Sequence, residues 1–361
     1  MNILFITNVF PPTTGGSASD YDIITNELIK KKNINQIAVI SVFMKSEKVQ
    51  KISNDKKIRL FRFLVNYKKQ KHSILKFIFF IIQNIQCFTL GIYFRLTNKY
   101  DLIQTHSDML WVNNRSFIHS GIRFLSQSGE KTILDIRDKL STPSIDLNYS
   151  HYLVNSEFCY SSLSKVINVN KISLIYCPFK IISKKTLEKE NIYFHEKPYI
   201  VFIGNININK GIYKLLEAIK ILNRERSKPI KLLICGELND GLFGIPSNCK
   251  YLGPLEYMDT MKLLFGAELL VLPSKSESHP RVIIESIIYN VPFLMTRGVP
   301  ELEQHFSENM LENIEPKHIA YRINEVLEKK MKDLPNSYPL HLHQIDKVIN
   351  KLINVYENLY Q

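Results

Sequence analysis

The sequence has few of the features that mark secreted, metal-binding or membrane-spanning proteins. Its five cysteines have neither the spacing of metal ligands nor a disulfide framework, which favours a reducing cytoplasm. The N-terminal residues 1–6 lack a basic start and a small-residue cleavage site, so they predict a first strand and not a signal peptide. No stretch reaches the roughly 20 apolar residues of a membrane span. We also find no short-period repeat and no low-complexity tract. These absences favour a cytoplasmic globular protein.

What the chain does have is length and positive charge. Its 361 residues suit two domains, and 45% hydrophobic residues are enough for real cores. The net charge of +13 favours anionic partners such as nucleotide diphosphates, anionic lipid or nucleic acid. A genome rich in Lys, Asn and Ile codons is the alternative explanation of this charge. The basic residues form no recognised nucleic-acid motif, so we expect no nucleic-acid partner.

One segment near the end of the first third is unusually apolar. Residues 74–96 are rich in Ile, Phe and Leu but are interrupted by Lys76 and by amide side chains. A basic cluster of Lys68, Lys69 and Lys71 comes just before. Two interpretations stay open: a helix that rests on anionic lipid as a peripheral membrane contact, and a core helix of the first domain.

Apolar runs alternate with amphipathic segments along both halves of the chain, and this predicts parallel sheets covered by helices. The predicted strands of the first half are residues 3–7, 37–42, 60–64, 102–105, 132–136 and 152–155. Those of the second half are residues 199–203, 231–235, 251–252, 269–272 and 293–295. The predicted helices are residues 17–32, 211–223, 258–265, 280–289 and 341–360. We place the domain boundary near Pro178, within residues 173–182.

Two glutamates follow the predicted strand 269–272. Glu277 lies in the loop at its carboxyl end, and Pro280 is suited to open the next helix, which places Glu285 in its second turn. That helix is apolar on most sides, and a buried carboxylate is costly unless something satisfies it. Because open α/β sheets bind ligands at the carboxyl ends of their strands, we expect both acids to hold hydroxyl groups, as of a sugar or ribose. The alternative is a solvated Glu277 and a Glu285 paired with Arg or Lys.

A glycine and a lysine follow the predicted strand 199–203. Gly204 permits a tight turn, and Lys210 precedes Gly211 at the start of a helix, where a cation is disfavoured unless an anion binds there. Lys210 is therefore predicted to bind a diphosphate. Asn205, next to Gly204, is able to donate a hydrogen bond to the diphosphate but brings no positive charge. Arg281 and Arg297 are therefore considered as additional cations for the diphosphate.

The first half carries three comparable features. Gly15 and Gly16 precede a helix, so their backbone N–H groups are suited to face a diphosphate. His106 ends the strand 102–105. Asp138 follows the strand 132–136 and is a further candidate, with Arg137 pairing with a neighbouring Asp as the alternative. Asp20 and Asp22 form a D-x-D pattern, but they lie inside the first helix and are expected to favour its N-terminus instead of binding a metal.

These motifs together resemble the retaining glycosyltransferases of family 4, whose fold is GT-B. Pro273, Ser274, Glu277, Pro280 and Glu285 match the E-x7-E signature in register, with Ser278 and His279 where the family has Gly-Phe. Gly204, Lys210 and Gly211 match the G-R-x-x-x-x-K-G element, with Asn205 at the Arg position. His106 matches the last His of the D-(V/I)-(I/V)-H-x-H element, with Gln104 at its first His. The stretches 153–157 and 298–301 resemble the family's V-S-E and G-G-x-x-E elements.

The resemblance implies an α/β fold of two Rossmann-like domains with parallel sheets facing across a cleft. It implies an acceptor-side domain over 1–175, a nucleotide-sugar domain over 176–338 and a helix over 339–361 that returns to the first domain. Glu277 and His106 would contact the donor sugar and Glu285 the ribose. Asp138, in a loop that resembles the family's acceptor-side loop, would orient an acceptor hydroxyl. The remaining donor residues would be Gly15, Gly16, Gly204, Asn205, Lys210, Ser278, His279 and Arg281.

The function so implied is a retaining hexosyltransferase that uses a nucleotide-diphosphate sugar, with a UDP-sugar favoured, and needs no metal or other cofactor. Its acceptor would be a glycan or lipid-linked glycan in surface-polysaccharide (capsule or lipopolysaccharide) synthesis, at the inner face of the cell membrane. Two alternatives stay open: a non-catalytic glycosyltransferase-like partner subunit, and a nucleotide-sugar epimerase of the GT-B fold.

Overall fold

The chain divides into two compact units. A computed structural model of the protein describes residues 1–7, 10–11, 16–42, 58–64, 73–106, 120–129, 131–137, 148–189, 191–224, 226, 228–238, 244–329 and 334–361. Unit 1 comprises Met1–Phe179 and Leu342–Gln361, and unit 2 comprises Lys180–His341. The division after Phe179 lies within the stretch 173–182 where the sequence places the boundary.

Each unit contains a parallel sheet with the order of a doubly wound fold. The strands are β1 (Asn2–Ile6), β2 (Gln36–Val42), β3 (Ile58–Leu64), β4 (Leu102–His106), β5 (Thr132–Ile136), β6 (His151–Val154), β7 (Ile172–Leu174), β8 (Tyr199–Ile203), β9 (Lys231–Cys235), β10 (Cys249–Gly253), β11 (Leu269–Leu272), β12 (Phe293–Thr296) and β13 (Met310–Leu311). The order is β3-β2-β1-β4-β5-β6-β7 in unit 1 and β10-β9-β8-β11-β12-β13 in unit 2. The predicted α/β fold with two parallel sheets is confirmed.

Described helices lie between most of the consecutive strands, as is usual for parallel pairing. They are α1 (Gly16–Leu28), α2 (Ser73–Thr97), α3 (Ser120–Ser126), α4 (Glu157–Leu163), α5 (Lys184–Glu188), α6 (Ile212–Arg224), α7 (Tyr257–Gly266), α8 (Arg281–Tyr289), α9 (Pro300–Glu303), α10 (Pro316–Lys329) and α11 (Ile345–Tyr360). The apolar stripe of α11 joins the core formed by β1 and α1, so the C-terminal helix belongs to unit 1.

The order of each sheet fixes where its loops meet. In unit 1 the strands β1 and β4 are neighbours at the point where the order of the sheet reverses. The chain continues from β1 to β2 on one side and from β4 to β5 on the other, so the loops after β1 and β4 diverge at a switch point. The loops after β8 and β11 do the same in unit 2. Ligands of doubly wound sheets bind at such points, because the diverging loops leave a crevice at the carboxyl ends of the strands.

Some elements differ from the sequence prediction. Pro280 caps α8 from outside, and the helix begins at Arg281. The expectation that no segment is long and apolar enough to cross a membrane is wrong, because the helical segment Phe77–Thr97 meets both criteria. Only 22% of its most apolar window is buried, so the core-helix interpretation describes just one side of α2, where Cys87 and Phe94 join a core of unit 1.

Candidate functional site

The site in unit 2 forms where the loops after β8 and β11 diverge. The chain leaves β8 through Gly204 and enters a short 3₁₀ turn, Ile208–Lys210, before α6. The chain leaves β11 through Pro273 and reaches α8 by way of Glu277. The switch point therefore brings Lys210 and Glu277 to neighbouring strand ends.

Close backbone packing joins these two loops. Gly211 has φ 72°, and a Cβ there would lie 2.0 Å from the carbonyl oxygen of Pro273, so only glycine fits. The Lys275 N–H donates to the Asn209 carbonyl at 2.8 Å. The Asn207 side chain accepts from the N–H groups of Asn209 and Lys210, at 3.0 Å each, and so caps the 3₁₀ turn. Lys210 is thus held on a fixed backbone.

Lys210 and Glu277 form a direct ion pair. The Lys210 ammonium donates to Oε1 of Glu277 at 2.7 Å. The Lys210 side chain is 30% exposed and that of Glu277 10%. An ammonium carries three N–H donors, so two remain available to oxygens of an anion. The second carboxylate oxygen of Glu277 is similarly able to accept from a hydroxyl.

Glu285 lies deeper, in the second turn of α8. Its Oε1 is 3.7 Å from Nη2 of Arg281, one turn earlier, and both side chains are more than nine-tenths buried. Tyr257, at the start of α7, donates to the Lys180 carbonyl at 3.4 Å and lies close enough to Glu285 for each group to affect the pKa of the other. Burial raises the pKa of Glu285, whereas Arg281 and Tyr257 oppose that shift. Burial likewise lowers the pKa of Arg281, against the influence of Glu285. The alternative expectation of a Glu285 paired with an Arg therefore describes the contact observed here.

The residues between the two glutamates approach a third acid. His279 is buried, and its Nδ1 lies 3.9 Å from Oε2 of Glu301, in the short helix α9 after β12. Ser278 is half-buried. Glu301 ends the stretch 298–301, which resembles the G-G-x-x-E element, and His279 stands where family 4 has Phe. The two sequence elements therefore meet at this contact between a buried histidine and a buried carboxylate.

The two arginines considered as additional cations are both occupied. Arg281 pairs with Glu285. Arg297 is a surface residue that bonds Glu312 at 2.6 Å and Glu303 at 3.3 Å. Asn205 is half-buried in the loop after β8. Of Lys210, Arg281 and Arg297, it is therefore Lys210 whose charge lies between the loop after β8 and the loop after β11.

The site residues predicted in unit 1 are only partly described. Gly16 begins α1 and is exposed, and His106 ends β4 fully buried, with its ring edge-to-face on Tyr21 at 5.5 Å. Gly15 and Asp138 lie outside the described residues. Gly16 and His106 belong to the loops of the unit 1 switch point, whereas the other described candidates belong to unit 2.

A buried charge network lies beside this end of unit 1. Arg137 bonds Asp20 through Nη1 at 2.6 Å and Asp135 through Nε at 3.1 Å, and each of these side chains is at most 3% exposed. The expectation that Asp20 favours the helix N-terminus is wrong, because Asp20 lies beyond the first turn of α1 and its carboxylate binds Arg137. The alternative in which Arg137 pairs with a neighbouring Asp is the arrangement observed.

Three neutral side chains complete this network. The hydroxyl of Tyr21 and the amide of Gln104 both donate to Oδ2 of Asp135, at 2.8 and 3.0 Å. Tyr356 of α11 donates to Oε1 of Gln104 at 2.5 Å. The Gln104 side chain, at the position of the family's first His, therefore links the C-terminal helix to the buried charges.

Replacing Arg137 by methionine is expected to destabilise unit 1 by about 3–5 kcal/mol, because Asp20 and Asp135 would lose their buried counter-charge. The midpoint of urea unfolding, followed by the fluorescence of the only tryptophan, Trp111, measures this. Arg59→Met at an exposed position is the control, with an expected change within about 0.5 kcal/mol. Equal midpoints for the two variants would contradict the importance of the network.

Sequence reasoning missed two residues of the unit 2 site. Tyr257 is 28 positions before Glu285, and no local signal connects the two. Asn207 had a usable signal, since Asn is a preferred cap three residues before a helical N–H. Within the described part of the chain, no group of three or more His, Cys, Asp or Glu residues is arranged to hold a metal ion.

Comparisons with known proteins give the following similarities. Residues 183–338 match the family model described as Glycosyl transferases group 1. A Klebsiella pneumoniae protein described as an uncharacterized 41.2 kDa protein in the cps region is 23% identical over 222 residues. That alignment covers 57% of this chain and spans 61% of the length of the relative.

Solved structures share the fold over almost the whole chain. Sucrose-phosphate synthase from Thermosynechococcus elongatus has a TM-score of 0.73 at 14% identity, covering 99% of both chains. The S. aureus MnaA–UDP co-structure has a TM-score of 0.63 at 13% identity, covering 99% of this chain and 97% of the other. At such identities the likeness concerns the fold alone. The chain has a GT-B fold, and its match to the Glycosyl transferases group 1 model over residues 183–338 supports a glycosyltransferase.

Proposed function

We propose that this protein is a retaining glycosyltransferase of family 4 that moves a hexosyl group from a nucleotide-diphosphate sugar, with UDP as the favoured nucleotide. The single observation that carries the proposal is the contact between Lys210 and Glu277 at the switch point of unit 2, followed along the chain by the buried Glu285 of α8. A cation, a largely buried carboxylate bonded to it and a second buried carboxylate therefore lie near the strand ends, where doubly wound folds bind nucleotides.

Each residue takes a separate part of the donor. The two remaining N–H groups of Lys210 hold the leaving diphosphate, and the free oxygen of Glu277 accepts from a sugar hydroxyl. Glu285 holds the ribose hydroxyls. Fixed charges and backbone N–H groups stabilise the negative charge that develops on the diphosphate, so we propose that transfer requires no metal.

The acceptor we propose is a glycan or lipid-linked glycan of surface-polysaccharide synthesis at the inner face of the cell membrane. Support comes from the relative in a cps region and from the positive charge of the chain, which suits phosphate-bearing partners. Membrane contact follows for this acceptor class, because a lipid-linked glycan stays at the bilayer.

The test is a melting-temperature panel of UDP, GDP, ADP and CMP and their common sugars, with Mg²⁺ or EDTA. A ligand at about a hundredfold excess over its Kd stabilises the folded state by about 2.7 kcal/mol, or roughly 5 °C or more for a unit of this size. We expect UDP to give this shift equally in EDTA. No shift with any nucleotide would contradict the proposal and favour a non-catalytic partner subunit.

The epimerase alternative is separated by its product. The protein is incubated with a UDP-sugar that it binds, in the absence of an acceptor. If the protein is a transferase, the UDP-sugar stays unchanged apart from slow hydrolysis. Appearance of an epimeric UDP-sugar in the nucleotide-sugar chromatogram would contradict the transferase assignment.

A further inference from the structure

Among the described residues, those that pack against helix α2 of unit 1 lie along one of its sides. Its buried stripe includes Gln83, Cys87 and Phe94, spaced one or two turns apart. A Cβ at Gly91 would meet the Phe124 ring of α3 at 2.6 Å, so the helices are in close contact there. The N–H of Gly121 donates to Oδ1 of Asn84 at 3.1 Å. These contacts fix the long helix to the body of unit 1.

The opposite side of α2 is an exposed apolar stripe. Its side chains recur every three or four residues and are all at least 37% exposed: Ile74, Ile78, Ile81, Ile85, Phe88, Ile92 and Leu96. At 1.5 Å per residue this stripe is about 33 Å long. Single exposed apolar residues are ordinary, but a continuous stripe of this length indicates a surface that binds something apolar.

The charged residues of the segment that contains α2 have one sign. Residues 56–100 contain ten lysines and arginines and no aspartate or glutamate. Lys68, Lys69 and Lys71 come just before the helix, and Arg95 and Lys99 lie at its other end. A sequence with basic residues at both ends of an apolar helix suits the headgroup region of an anionic leaflet, because basic side chains favour the polar layer and apolar side chains the layer below it.

Two other occupants fit this surface less well. A symmetric contact with a second copy would bring two segments of the same positive charge together without an acid to pair with them. A helix that crossed the bilayer would have to leave α3 and remove Cys87 and Phe94 from a core shared with β1 and β2. A helix lying flat keeps these contacts and still buries its exposed side.

We propose that the stripe Ile74–Leu96 of α2 is an interfacial anchor that lies flat on a membrane rich in anionic lipid. The purpose of this anchor, to hold the enzyme beside a lipid-linked acceptor, rests on the proposed function. The surface itself is defined by α2, and the donor site of unit 2 takes no part in it.

The test is flotation of the full chain with vesicles of phosphatidylethanolamine and 30% phosphatidylglycerol, and with neutral phosphatidylcholine vesicles. We expect binding to the anionic vesicles alone, weakened by raising the salt concentration.

The double variant Ile78→Gln, Ile85→Gln is expected to bind at least about tenfold less, because two inserted apolar side chains are removed. The matched control is Ile181→Gln, Ile192→Gln in unit 2, whose side chains are 65% and 67% exposed and which is expected to bind as the original chain does.

Both double variants replace exposed side chains, so their melting temperatures and UDP-induced shifts are expected to match those of the original chain. Equal vesicle binding by the α2 variant and the control would overturn the proposal, and so would equal binding to neutral vesicles. A concentration-dependent dimer that the α2 variant abolishes, without any vesicle binding, would identify a second copy as the occupant and also overturn it. A UDP shift without vesicle binding would refute the anchor and leave the proposed function intact.

Discussion

Lys210→Met is expected to lower the turnover of the UDP-sugar by about 10²–10³-fold, the usual effect of removing one group that stabilises transition-state charge. The Lys210 ammonium is held at the switch point by Glu277 at 2.7 Å and by the capped turn beneath it. Its charge acts on the leaving diphosphate, so kcat should fall more than KM rises. Initial rates of UDP release over a range of donor concentrations measure both constants.

Two variants control this result. Lys275→Met removes the same charge from an exposed residue of the adjacent loop and is expected to retain nearly full turnover. Lys210→Arg keeps the charge and is expected to retain more turnover than Lys210→Met. A Lys275→Met variant as impaired as Lys210→Met would mean that only the general positive potential matters, and the specific assignment of Lys210 would be wrong.

Glu285→Gln is expected to weaken UDP binding by about 10- to 100-fold, since a charged hydrogen bond to a hydroxyl contributes about 1.5–3 kcal/mol. The carboxylate is 8% exposed, so solvent does little to replace its lost bonds. Protonation removes the same charge. Because burial raises the pKa of Glu285, UDP binding should begin to weaken at a higher pH than for an ordinary glutamate as the pH falls. Isothermal titration with UDP at several pH values measures both effects.

The stability of the variant must be separated from its binding. Glu285→Gln leaves Arg281 buried without its counter-charge, which by itself lowers the melting temperature. The double variant Arg281→Met, Glu285→Gln removes both charges and is expected to recover much of that stability while UDP binding stays weak. Recovery of UDP binding in the double variant would show that Glu285 only neutralises Arg281, and its assignment to the ribose would be wrong.

The sequence predicts the central strands of unit 2 well. The predicted bounds of β8, β9 and β11 coincide with those of the structure. These strands are covered on both faces, so each is a short, nearly continuous apolar run between turn signals. Because the end of β11 is so clearly marked, the sequence alone also places Glu277 in a loop and Glu285 in the second turn of a helix.

Peripheral elements are predicted less well. The strands β7 and β13 at the sheet edges and the helix α10 are absent from the sequence prediction. The two strands have three and two residues, too few to produce an alternating pattern. The boundaries of α1 and α11 also differ by several residues, because fraying ends carry weak signals.

The sequence by itself determined the doubly wound α/β plan and the residue types at the strand ends, because strand burial and turn chemistry are local properties. Only the tertiary structure decided the partners of the charged groups. Asp20 and Arg137 are 117 positions apart, yet they form one buried ion pair. Tertiary packing also decided which side of α2 stays exposed, since its apolar residues occur all round the helix and the contact with α3 covers only one side. Long-range pairing depends on which strands become neighbours, and local sequence does not carry that information.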